Sequence, residues 1–196
     1  MPDARTQLEA ALKTPSGHFV YESGHHGDLW VDLLRLTARA PLLRACASEL
    51  ARLARPQAPQ LVCGPLVGGA FLAQMTGSEL GLPAVLAEKV VEDDMRYRVP
   101  PSLRSLVAGQ RVLLVDDAIN AGAAGRSTAR DLKEAGARVV ALGTLLAMGD
   151  GGDRLAADLG VPLHALARRE RNLWRPDECA LCRKGIPLSF DLMRGD

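Results

Sequence analysis

Short apolar runs alternate with segments of helical periodicity along the middle of the chain, and this pattern constrains the fold more than any other feature. The runs are Leu61-Val62-Cys63, Ala84-Val85-Leu86, Arg111 to Val115 and Arg138 to Leu146. A strand that is apolar on both faces must be covered on both faces, so these runs predict a central parallel sheet flanked by helices, an α/β fold. The intervening helices fit. Leu43, Cys46, Leu50 and Leu53 form one stripe, and Ala129, Leu132 and Ala135 form another, with Gly136 placed to cap the latter. Before residue 60 the pattern changes. Residues from Phe19 to Leu34 read as two short strands around a polar turn, a small N-terminal hood within residues 1–40. The main domain is expected over 1–168. A polar C-terminal extension, 169–196, carries Cys179-Ala180-Leu181-Cys182.

Composition narrows the function classes. The 196 residues hold 24 Lys and Arg against 23 Asp and Glu, a net charge of +1. That balance argues against a nucleic-acid-binding surface. No run approaches the length of a membrane span. The opening MPDARTQLEAALK lacks the basic and then apolar pattern of a secretory signal, so a cytoplasmic protein is expected.

Chemistry concentrates between Val112 and Thr128. A buried strand ends in Asp116-Asp117, a turn of small residues follows, and a helix begins. In parallel α/β folds, ligands bind at the carboxyl ends of strands. Small residues let backbone N–H groups approach an anion, and the helix N-terminus favours negative charge. The carboxylates accept hydrogen bonds from sugar hydroxyls or hold a divalent cation through water. Phosphate and hydroxyl recognition on one loop points to a sugar phosphate.

This stretch resembles the binding motif for 5-phosphoribosyl 1-diphosphate (PRPP) in the type I phosphoribosyltransferases. Gly64-Pro65-Leu66-Val67-Gly68-Gly69 resembles the same family's pyrophosphate loop. The hood from Phe19 to Asp32 and the Asp150-Gly151-Gly152 segment resemble the orotate branch most. The resemblance implies an Mg²⁺-dependent phosphoribosyl transfer from PRPP to a nucleobase, orotate first, and a homodimer. Asp116 and Asp117 would hold the ribose hydroxyls. Asn120, Ala121, Gly122, Ala123, Ala124 and Gly125 would hold the 5′-phosphate. Gly68, Gly69 and Lys89 would face the pyrophosphate. Trp30, His25 and His26 would wall the base. Residues 90–109 would form a charged lid, with Arg96, Arg98 and Arg104 as its cations. The same resemblance marks departures. Asn120, Ala121 and Ala124 stand where hydroxyl side chains are usual, leaving Arg126, Ser127 or Thr128 to compensate. Glu22, Glu92 and Met148 stand where orotate enzymes carry cations. These departures favour another base, or a PRPP-binding regulator without turnover.

Four cysteines are too few for a disulfide scaffold. Cys46 and Cys63 lie in apolar periodic segments and read as core. Cys179 and Cys182 read as a tight turn with two thiols, and no metal ligand is assigned. A zinc there would need His164 or a second chain to complete it.

Overall fold

The computed structural model describes residues 3–12, 16–20, 24–31, 33–91 and 95–189. Glu22, Ser23, Asp32 and Glu92 lie outside them. The elements in chain order are α1 (Ala4–Ala11), β1 (Ser16–Val20), β2 (His26–Leu29), α2 (Leu33–Thr37), α3 (Ala40–Ala54), β3 (Leu61–Pro65), α4 (Gly68–Leu80), β4 (Ala84–Val91), β5 (Met95–Arg98), α5 (Arg104–Val107), β6 (Arg111–Ile119), α6 (Ala123–Glu134), β7 (Arg138–Met148), α7 (Gly151–Leu159), β8 (Leu163–Arg169), β9 (Leu173–Trp174) and α8 (Ala180–Arg183).

The expected parallel sheet is present. Its strand order is β5-β4-β3-β6-β7-β8, with β4, β3, β6, β7 and β8 parallel and β5 antiparallel. β6 shows why both faces must be covered. Leu113 and Val115 enter the core beneath α1, α3 and α4, while Val112 and Leu114 enter the one beneath α6 and α7. Each fully buried Leu, such as Leu50 or Leu132, contributes about 1.5–3 kcal/mol through burial. Cys46 and Cys63 are core residues, as their periodicity indicated. Gly136, at φ +83°, follows α6 in the left-handed conformation that ends a helix.

Two strands escaped the periodicity argument. β8 is a sheet edge whose half-exposed and exposed positions admit His164, Arg168 and Arg169. β5 forms the opposite edge. It also corrects the expected lid. Most of 90–109 is packed structure: β4 and β5 form a hairpin, and Val99 and Val107 are buried. Tyr97 N–H donates to Ser127 Oγ at 2.8 Å, and Val99 N–H donates to Asp131 Oδ2 at 2.8 Å. Arg104 is not a lid cation either. Its Nη1 donates to Asp131 Oδ1 at 2.9 Å, pinning α5 to α6.

The hood is a separate three-stranded sheet, β1-β2-β9. The boundary expected at 168 falls inside β8, and the segment after it supplies the third hood strand. His26 pairs with Trp174 and Gly27 with Leu173. Asp28 reinforces the junction by accepting from Asn172 N–H at 2.9 Å and from Asn172 Nδ2 at 2.6 Å.

Candidate active site

The carboxyl ends of β3 and β6 meet. β6 delivers Asp116 and Asp117, and the turn after β3 delivers Gly68 and Gly69 at the start of α4. Contact is so close that only glycine fits. A Cβ on Gly68 would lie 1.9 Å from Asp117 Oδ2, and one on Gly69 would lie 2.9 Å from Asp116 Oδ1. The Leu66–Val67 peptide in this turn is cis.

Each carboxylate accepts a backbone bond from the residue after it. Asp117 N–H donates to Asp116 Oδ1 at 3.0 Å, and Ala118 N–H donates to Asp117 Oδ1 at 2.8 Å. Both residues keep partial exposure at the cleft, yet protein surrounds their carboxyl groups. Burial pushes the Asp116 carboxyl well above the usual carboxylate range, and the neighbouring Asp117 charge adds to the shift. Burial raises Asp117 as well, against the pull of its backbone bond from Ala118.

After β6 the chain turns through Asn120, Ala121 and Gly122 into α6. Gly122, at φ +78°, is the N-cap. The helix therefore begins at Ala123. Ala123, Ala124 and Gly125 are thus the first helical turn, not loop. Their early N–H groups lack intrahelical acceptors and are the natural anion donors. Gly151 locks this turn from behind, since a Cβ there would lie 1.9 Å from Asn120 O. Asn120 Oδ1 is buried without a hydrogen-bond partner among the described residues.

A cavity of about 400 Å³ opens here, lined by Asp116, residues 118–125, His25, Arg171 and Leu173. The acid pair thus sits between two helix N-termini, those of α4 and α6. Such an arrangement suits a molecule with phosphates at both ends and hydroxyls between them.

Other expected site residues are placed differently. Lys89 is exposed on β4, and Arg96 and Arg98 pair with Val90 and Glu88 along the β4–β5 hairpin. None of the three lines the cavity. Trp30 is half-buried against Phe19, with ring centroids 6.0 Å apart. His26 does not wall a base; it is buried, and its Nδ1 lies 3.0 Å from His18 Nε2. Nor do the expected substitutes for lost hydroxyls face the turn freely. Arg126 pairs with Asp158, Ser127 holds Tyr97 N–H, and Thr128 is buried. Arg171 was missed, because a lone Arg in a polar tail carries no periodic or motif signal.

The phosphoribosyl transferase domain profile matches residues 30–167. The chain belongs to this family. Transfer of a phosphoribosyl group is accordingly its activity. Orotate phosphoribosyltransferase of Thermotoga maritima is 29% identical over 191 residues, covering 96% of each chain. The crystal structure of Mycobacterium tuberculosis orotate phosphoribosyltransferase with PRPP superposes with a TM-score of 0.65 at 20% identity, over 85% of this chain and 96% of that one. Adenine phosphoribosyltransferase from Rhodothermus marinus superposes at 0.67 with 23% identity, over 85% of this chain and 98% of that one. At such identities the structural likenesses establish the fold alone. Among the described residues, no helix is long and apolar enough to cross a membrane.

The glycine contact gives a direct test of this phosphoribosyltransferase's site. Gly68→Ala must displace the Asp117 carboxylate or the turn itself. PRPP affinity measured by calorimetry is expected to fall at least tenfold, with the far-UV spectrum unchanged. Unaltered affinity would show that the turn and the acid pair do not act together.

Proposed function

We propose that the chain transfers the 5-phosphoribosyl group of PRPP to a ring nitrogen of orotate and releases pyrophosphate. The observation that carries this reading is the acid pair at the end of β6, packed against the Gly68–Gly69 start of α4, with Asp116 and the first turn of α6 lining one cavity. The sugar carbon exchanges its bond to the pyrophosphate oxygen for one to the base nitrogen, whose electron pair makes the new bond; the C–O pair leaves with pyrophosphate, and the nitrogen's proton passes to water. Asp116 and Asp117 orient the ribose through its hydroxyls. The first turn of α6 anchors the 5′-phosphate, and the Gly68–Gly69 turn faces the leaving pyrophosphate. Catalysis of this kind is positioning and electrostatics.

The donor set fits Mg²⁺, a hard cation that takes one or two carboxylates together with substrate phosphates. Asp116 and Asp117 would hold it, directly or through water. Bound there, the ion would offset charge developing on the pyrophosphate.

Orotate carries a carboxylate and needs a cation. Met148 packs against the core beside α3 and cannot supply one. Arg171, on the cavity wall with His25, is the group we assign to that carboxylate. A second reading, transfer to a base without a carboxylate, is favoured by Met148 itself. Initial rates with PRPP and Mg²⁺ on orotate, uracil, adenine, hypoxanthine and guanine separate the two. Turnover is expected with orotate, falling at least tenfold in Arg171→Ala, whose orotate KM should rise more than its PRPP KM. Turnover with adenine and none with orotate would overturn the assignment of the base. PRPP binding without turnover on any base of this panel would equally overturn orotate as the acceptor.

We also propose a homodimer. Leu66, Val67 and Phe71 are exposed apolar residues beside the Gly68–Gly69 turn, an unfavourable set to leave in water. Sedimentation at micromolar concentration should give twice the chain mass, and Phe71→Glu should give monomers. A monomeric parent would refute the dimer.

A further inference from the structure

We propose that His18, His26, Cys179 and Cys182 bind a structural zinc ion that clamps the C-terminal segment to the hood. Their four ligand atoms all lie within 4.8 Å of one another. His18 Nε2 is 3.0 Å from His26 Nδ1, 3.4 Å from Cys179 Sγ and 3.7 Å from Cys182 Sγ. Cys182 Sγ is 3.3 Å from His26 Nδ1. Zinc bonds of about 2.0–2.1 Å to nitrogen and 2.3 Å to sulfur give tetrahedral edges of about 3.3–3.8 Å. Three of the four separations, 3.3–3.7 Å, match those edges, and the His18–His26 distance of 3.0 Å is slightly shorter.

Hydrogen bonding alone does not account for the cluster. His18 Nδ1 lies 2.8 Å from Ile186 O. A carbonyl only accepts, so Nδ1 carries the proton and Nε2 presents a single lone pair. Three neighbours crowd that lone pair, and one metal ion satisfies all of them. The Ile186 carbonyl then plays the orienting part that a second partner plays for most metal-bound histidines. Cys182 N–H donates to Cys179 Sγ at 3.5 Å, which fixes that sulfur within the cluster. His18, His26 and Cys179 are buried and only Cys182 is exposed.

Two nitrogens and two sulfurs close the coordination sphere, so the ion has no open position for substrate and its role is structural. The ligands on β1 and β2 are 153–164 residues from Cys179 and Cys182 in sequence. Closing so long a loop constrains the unfolded chain strongly. His164 is not a ligand, since its Nε2 lies 3.1 Å from Gln57 Oε1. The clamp has a consequence for the cavity. His26 and Trp174 are register partners, and His25, Arg171 and Leu173 line the cavity on either side of that pairing. Zinc would therefore hold the cavity wall that carries Arg171.

The 196-residue chain, purified without chelator or immobilised metal, should contain close to one zinc per chain by mass spectrometry. Cys179→Ser and Cys182→Ser should each lose most of it. Protein stripped of metal and refilled with Co²⁺ should show the intense visible bands of tetrahedral cobalt and thiolate charge transfer near the ultraviolet. Stripping should also speed hydrogen exchange across residues 171–189. Wild-type protein with under a tenth of an equivalent of metal and no cobalt spectrum would overturn the site, as would a Cys179–Cys182 disulfide in protein kept under reducing conditions. None of these readouts uses PRPP or a base, so the zinc site and the proposed transfer to orotate stand or fall separately.

Discussion

Replacing Asp116 and Asp117 together by Asn is expected to weaken PRPP binding about a hundredfold or more and, at the same time, to raise the melting temperature of the ligand-free protein at pH 8. The first effect follows from lost charged hydrogen bonds, each worth about 1.5–3 kcal/mol, with about 1.4 kcal/mol per factor of ten. The second follows from linkage. Burial raises both carboxyl pKa values in the folded state. The native protein therefore retains protons that the unfolded chain releases once the pH exceeds about 4. Through that window the unfolded state binds fewer protons, so stability declines as pH rises towards the folded values. Asn does not titrate, and the variant escapes the decline. Melting curves of both proteins from pH 4 to pH 8, without ligand or divalent metal, measure the difference. A parent that outlasts the variant by more at pH 8 than at pH 4 would contradict the sign. Unchanged PRPP affinity would remove the acid pair from the site. Its energetic cost is what a site of this chemistry entails, since the charges are offset only when hydroxyls or a cation arrive.

Asp131→Ala is expected to destabilise the fold by about 3–5 kcal/mol, because it leaves the buried Val99 N–H unpaired and removes a charged hydrogen bond from the part-exposed Arg104. The Asp131 side chain is 6% exposed. It receives both Val99 N–H and Arg104 Nη1, and so fastens β5 and α5 to α6. For a chain of this size the loss corresponds to a drop of roughly 6–20 °C in melting temperature. Asp131→Asn keeps an acceptor for Val99 N–H and should cost less than Asp131→Ala. Equal melting temperatures for parent and Asp131→Ala would mean that 95–107 is the loosely held lid its charge pattern suggested. The contrast matters for mechanism. β5 and α5 are fixed on α6 through Asp131, which holds them against moving as a lid.

Much of the architecture was legible before any coordinate. Runs such as Val112 to Val115 are apolar on both faces, and only a sheet buried on both sides accommodates them. Asp116 and Asp117 were legible because two carboxylates ending a buried strand before small residues have few structural uses. The Gly68–Gly69 turn was legible as a resemblance, and its packing on the acid pair supplies the physical reason for glycine.

Other features depended on the tertiary structure. Edge strands β5 and β8 face water on one side, so their charged residues erase the apolar signature. The 90–109 segment looked unstructured because its partners, Ser127 and Asp131, lie on α6 and leave no mark on local periodicity. Arg171 reaches the cavity only because β9 returns to pair with β2. The histidine–cysteine cluster is the clearest case, since neither His18, His26 nor the CxxC pair signals the others. Periodicity and motif spacing report on neighbours along the chain. Contacts that close loops of more than a hundred residues are set by how the packed elements return to one another, and that is decided in three dimensions.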